Sequence, residues 1–168
     1  MNELLPIRGK VVAVLSGPGG VRVYETTNLV TTAGDVFYAQ RATEATTTNT
    51  FDALLLSTAT ATATKSDTYA ALTPVSGSLK RFDAGYPQAN NLDAANTGKG
   101  AAVVTYRVSY SASEANSTGI TRLAITNYQN GAPGAAEPLL CIAAFGSSFT
   151  KAGTDTLTVY WNHTFLGA

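Results

Sequence analysis

A chain of 168 residues with eleven basic and eleven acidic side chains carries no formal net charge, and only 13% of its residues are charged, against about 25% in ordinary globular domains. That balance gives no long-range field to steer nucleic acid or an acidic membrane surface onto the protein. One cysteine excludes an internal disulfide framework, and a single histidine far from it in sequence leaves only scattered carboxylates as further ligands for a metal.

The length suits one domain, read as an amino-terminal arm over residues 1–9 followed by a single β domain over 10–168. In the opening MNELLPIRGKVVAVLS, Glu3 precedes any basic residue, Pro6 and Gly9 interrupt the segment, and the apolar run 11–15 is short, so it does not read as a secretion signal. No apolar stretch approaches the ~20 residues of a membrane helix. The expectation is a protein made in a cytoplasm and held there until it assembles. The triplets beginning at Asn116 and Asn162 match a glycosylation acceptor, and chance is the better reading of both.

In chain order, residues 10–16 and 21–27 are β-rich runs joined by GPGG at 17–20, a predicted hairpin. The glycines fit neither phosphate-loop spacing, and a strand follows where such a loop needs a helix. Hydroxyl residues at 31–32 offer caps for a predicted short helix over 33–43, with Val36, Phe37 and Ala39 or Gln40 near one face. FDALLLST at 51–58 reads as a buried strand. The tract TATATAT at 58–64 is of low complexity and carries no chemistry of its own, and 66–72 reads as a short turn or helix stopped by Pro74. A strand is predicted within 75–82, then an irregular excursion over 83–100, a length that often marks a contact surface.

Residues 102–110 alternate as a long strand with Tyr106, Val108 and Tyr110 on one face. ITRLAITN at 120–127, LLCIAAF at 139–145 and DTLTVYWNHTF at 155–165 follow, separated by turns. In the last, Leu157, Val159, Trp161, His163 and Phe165 share one face, which makes His163 a rung near a core edge. The architecture predicted is mainly β, an antiparallel sandwich or jelly-roll-like domain with one short helix.

The order of these segments resembles a group of small tailed-bacteriophage virion proteins. The resemblance rests on NLVTTAG at 28–34, ALLLST at 53–58, KSDTYAAL at 65–72, the EAN-to-IxN segment at 114–127 and FTKAGTDTLTVYW at 149–161, and it spans most of the chain. Two departures stand out: the family often has a glycine-rich ALGTGT where this chain has ALLLST, and the 83–100 excursion is long. The resemblance implies a virion structural role, in tail fibre, baseplate or head surface, and brings no active site with it.

Enzyme chemistry finds little purchase. No GxSxG elbow accompanies His163, Cys141 lies in an apolar run, and nothing selects a pair among Asp52, Asp67, Asp83, Asp93 and Glu114. The expected function is therefore assembly without cofactor or metal: a capsid decoration protein forming homotrimers that contact a major capsid protein, with Leu4, Leu5, Ile7 and Arg8 in the arm and Tyr86, Pro87, Asn90, Asn91 and Leu92 in the long loop as contacts. The alternative is a tail-fibre or baseplate component binding a glycan or receptor through Tyr86, Asn90, Asn91, Tyr128, Gln129 and Asn130.

Overall fold

The computed structural model describes residues 7–89 and 103–165. Strands β1 (Arg8–Gly17) and β2 (Gly20–Val30) form the predicted hairpin around a two-residue turn, with Gly20 at φ 91°, a backbone conformation that favours glycine. Helix α1 (Thr32–Ala42) follows, then β3 (Ala53–Ser57), the two-residue β4 (Lys80–Arg81) and β5 (Gln88–Ala89), β6 (Val103–Tyr110), β7 (Ser117–Thr126), β8 (Leu139–Lys151) and β9 (Thr156–Thr164).

The nine strands among the described residues join one antiparallel sheet in the order β4-β3-β7-β8-β2-β1-β9-β6-β5. The sheet curls at β2, which pairs with β1 over most of its length and with β8 through Asn28, Leu29 and Val30. Two layers result, and their inner faces share a core. Leu15, Val108, Tyr110, Val159 and Trp161 come from one layer; Leu54, Leu56, Ile120, Leu123, Leu140 and Phe149 come from the other. Tyr24 stacks on Phe149 at 4.5 Å between ring centres, and the Tyr110 hydroxyl donates to the Ser78 carbonyl at 2.7 Å.

A second apolar cluster lies on the outer face of the β3 layer, where Leu55, Ala124, Leu139 and Ile142 pack under Leu72, Tyr69 and Leu79. Both faces of β3 are therefore covered, which accounts for the unbroken apolar run ALLLS, buried at every position.

Helix α1 starts on Thr31, whose hydroxyl accepts from the Gly34 amide at 3.1 Å, with Asp35 in the first turn and Arg41 in the last to complement the helix dipole. It docks through Ala33, Phe37 and Tyr38, while Val36 points outward at 45% exposure. The helix face predicted from sequence is thus rotated away from Val36. Gly34 permits the approach, because a Cβ there would sit 2.2 Å from the Leu140 carbonyl oxygen.

Two elements differ from expectation. Of the strand predicted within 75–82, only Lys80 and Arg81 pair. The Ser78 hydroxyl takes the place of a backbone rung, bonding both the amide and the carbonyl of Leu56 at 3.1 Å. Strand β8 continues past the apolar run 139–145 as far as Lys151, and the chain reverses at 152–155, within the turn-like segment that precedes the closing strand.

Candidate functional site

His163 is not at a core edge: it is fully buried, opposite Gly9 of β1 and Val104 of β6 in the ladder. Its Nε2 lies 3.0 Å from the Trp161 indole Nε1 and 3.0 Å from Asn28 Nδ2, while Nδ1 bonds the Tyr38 hydroxyl. An indole N–H only donates, so Nε2 is the bare acceptor and Nδ1 carries the proton. Burial holds the imidazole neutral, its pKa depressed from 6.5 to about 3.

The donor count then has a remainder. The Tyr38 and Tyr106 hydroxyls lie 3.2 Å apart. His163 Nδ1–H and the two phenol protons have as acceptors only the two phenol oxygens. One phenol proton is therefore left without an acceptor among the described residues. Burial raises both phenols, Tyr106 to about 12 and Tyr38 well above its usual value, so neither supplies a phenolate.

In front of these phenols is an apolar groove of about 640 Å³ between α1 and the β6 end of the sheet, lined by Phe37, Tyr38, Arg41, Val104, Tyr106 and Phe165 and also by Ile7 and Pro87. Two residues expected as contacts, Ile7 of the arm and Pro87 of the long loop, are thus brought together here. Tyr86 sits apart, its ring 4.4 Å from the Arg107 guanidinium, which in turn bonds Asp83 at 2.8 Å. Leu4, Leu5, Asn90, Asn91 and Leu92 lie outside the described residues, as does the side chain of Arg8.

Of the carboxylates considered for chemistry, Asp52 bonds Arg81, Asp83 bonds Arg107, Glu114 bonds Lys80 at 2.8 Å and Asp67 accepts from Thr64. Each is taken up by its own partner, and Asp93 lies outside the described residues. The Lys80 ammonium holds Glu114 below the ordinary carboxylate range. Cys141 is buried and its thiol pushed well up by desolvation, so it is held as the neutral thiol.

The glycan-contact set divides as well. Tyr128 lies under the Arg81 guanidinium at 4.5 Å, and Gln129 bonds Glu137 at 3.2 Å. One ring face of Tyr86 and of Tyr128 is thereby occupied by a cation rather than open to a sugar. Sequence reasoning missed Asn28, Tyr38 and Tyr106 as partners of His163, since they come from three other elements, and no spacing in the chain relates them. Comparison with protein families, with curated proteins and with solved structures finds no match to this chain.

Proposed function

We propose that this chain is an assembly protein, a bacteriophage virion component of the capsid-decoration kind that forms homo-oligomers, trimers in the simplest closed form, on a shell. The observation that carries the reading is the outward face of the β1–β2 hairpin. There Val21 and Val23 are 67% and 54% exposed, with Val14 beside Val23 in the ladder. Thr156 and Thr158 of β9 continue this face as partners of Ser16 and Val14. Branched apolar side chains on a strand held in register by β1 lose little freedom on docking, so burying them against a second copy returns most of its roughly 25 cal/mol per Å².

The interior supports the same reading. The histidine and the cysteine are packed and neutral, and the carboxylates singled out from sequence serve as ion-pair or turn partners. The low charged fraction suits a surface that neighbours cover.

Light scattering on the purified chain tests the oligomer. The trimer mass is expected for the wild type, and monomer for the pair Val21→Lys and Val23→Lys, with an unchanged melting temperature. A wild type monomeric at all concentrations would remove the basis of the proposal. Immunogold microscopy of phage particles then places the protein: label over the head fits decoration, whereas label at the tail tip fits the fibre or baseplate alternative.

A further inference from the structure

Three of the described arginines are paired, Arg22 with Asp155, Arg81 with Asp52 and Arg107 with Asp83. Arg122 is the contrast. It sits on β7 between Ser57 of β3 and Ala144 of β8, is 3% exposed, and has a buried Nη1 with no hydrogen-bond partner among the described residues. A guanidinium cannot shed its proton to relieve burial as a lysine can, so an unpaired one inside a protein is strongly unfavourable unless an anion joins it.

The space for that anion is present. A pocket of about 400 Å³ opens on Arg122, walled on one side by residues 59–63 and on the other by 144–148. Its lining has no carboxylate, and the hydroxyl residues Thr60, Thr62, Ser147 and Ser148 are part of it. Thr121 Oγ1 donates to the Ala59 carbonyl at 2.7 Å, fixing the Thr/Ala tract over the strand that carries Arg122. A charge-depleted, hydroxyl-rich cleft around one buried fork calls for an anion from outside the chain. The volume is at the small end of ligand clefts, which begin at roughly 300 Å³.

We propose that this pocket binds the carboxylate of a small polyhydroxylated ring acid, such as a uronic acid. The planar guanidinium matches a carboxylate as a two-pronged donor, and the threonine and serine hydroxyls match the ring hydroxyls beside it. The site lies on the outer face of the β3 layer and does not depend on where the protein assembles.

Calorimetric titration of the full chain with sodium glucuronate tests this, with glucose and sodium phosphate at matched ionic strength as controls. Saturable glucuronate binding is expected, with glucose and phosphate at least about tenfold weaker. Arg122→Met should lose the binding yet melt no lower than the wild type, because it removes an unpaired buried charge. Should that variant fail to fold, Arg122→Lys, which keeps the charge without the fork, and Thr62→Val, on an exposed tract, carry the test, and both should weaken binding severalfold. Absence of saturable glucuronate binding, equal binding by Arg122→Met, equal binding by both substitute variants where Arg122→Met does not fold, or tighter binding of phosphate would each overturn the proposal.

Discussion

The indole N–H of Trp161 points at Nε2 of His163, two residues along the same strand and 3.0 Å away, and this one donor fixes the tautomer of the histidine. It also fixes the acid response. Between about pH 3 and 6.5 the unfolded chain binds a proton at this imidazole and the folded chain does not. The stability contributed by the neutral ring is complete above pH 6.5 and falls as pH drops towards 3, at a slope approaching about 1.4 kcal/mol per pH unit. Glu114, with its pKa lowered from 4.5, adds acid sensitivity of the same sign, but below pH 4.5. Urea midpoints between pH 6.5 and 4.5 should therefore fall for the wild type and stay nearly flat for His163→Gln. That variant should also be about 3 kcal/mol less stable at neutral pH, from the lost hydrogen bonds. Parallel slopes in the two proteins would refute the assignment.

The two phenols beside His163 should respond unequally. Tyr38 accepts from His163 and bridges to Tyr106, so Tyr38→Phe strands the Nδ1–H and should cost about 2 kcal/mol. Tyr106→Phe removes the hydroxyl at the end of the chain and passes the surplus proton to Tyr38, whose bond to His163 is kept, and should cost under about 1 kcal/mol. Chemical denaturation of the two variants checks the order, and the reverse order would mean that the bonds run the other way.

Gly9 is required by Asn28. A Cβ at position 9 would fall 1.5 Å from Asn28 Oδ1, so Gly9→Ala must push the amide off His163. A loss of about 2 kcal/mol is expected, most of it recovered in the double variant with Asn28→Ala, where the obstruction is gone. Additive losses in the double-mutant cycle would show that the strain lies elsewhere.

Gly34 sets two effects of known size against each other. Alanine is the better helix former by about 1 kcal/mol, but its Cβ would meet the Leu140 backbone, which has no side chain to move aside. The clash should win, and Gly34→Ala should lower stability by about 3 kcal/mol with the helix lifted from β8. An unchanged or raised melting temperature would show that the helix can shift at little cost.

The sequence was most legible where one physical period dominated. Alternation in 155–165 placed Val159, Trp161 and His163 on the inner face, and GPGG marked the hairpin. It was least legible where a side chain replaced a backbone partner, as Ser78 does beside Leu56, or where a bulge changed the phase. The irregular pairing of β7 between Ile120 and Arg122 is such a place. It brings Ile120 into the core with Leu123 and Ile125 while Arg122 keeps the phase of Ala124 on the outer, covered face, and the only trace in sequence is a charge inside an apolar run. The histidine cluster was beyond reach for another reason: its members come from β2, α1, β6 and β9 and meet only once both layers are closed.

The pairing of β1 with β9, nine residue pairs from Arg8 with Thr164 to Ser16 with Thr156, sets when this protein can finish folding. The β1–β2 hairpin can form early because its partners are local, but its other edge waits for a strand more than a hundred residues away, and β6 waits for the same strand. Until β9 leaves the ribosome both edges remain open to any other extended chain, and the loop to be closed is nearly the whole domain. Folding of this domain should therefore be slow for its size, its rate set by the arrival of β9 and not by the hairpin or the helix.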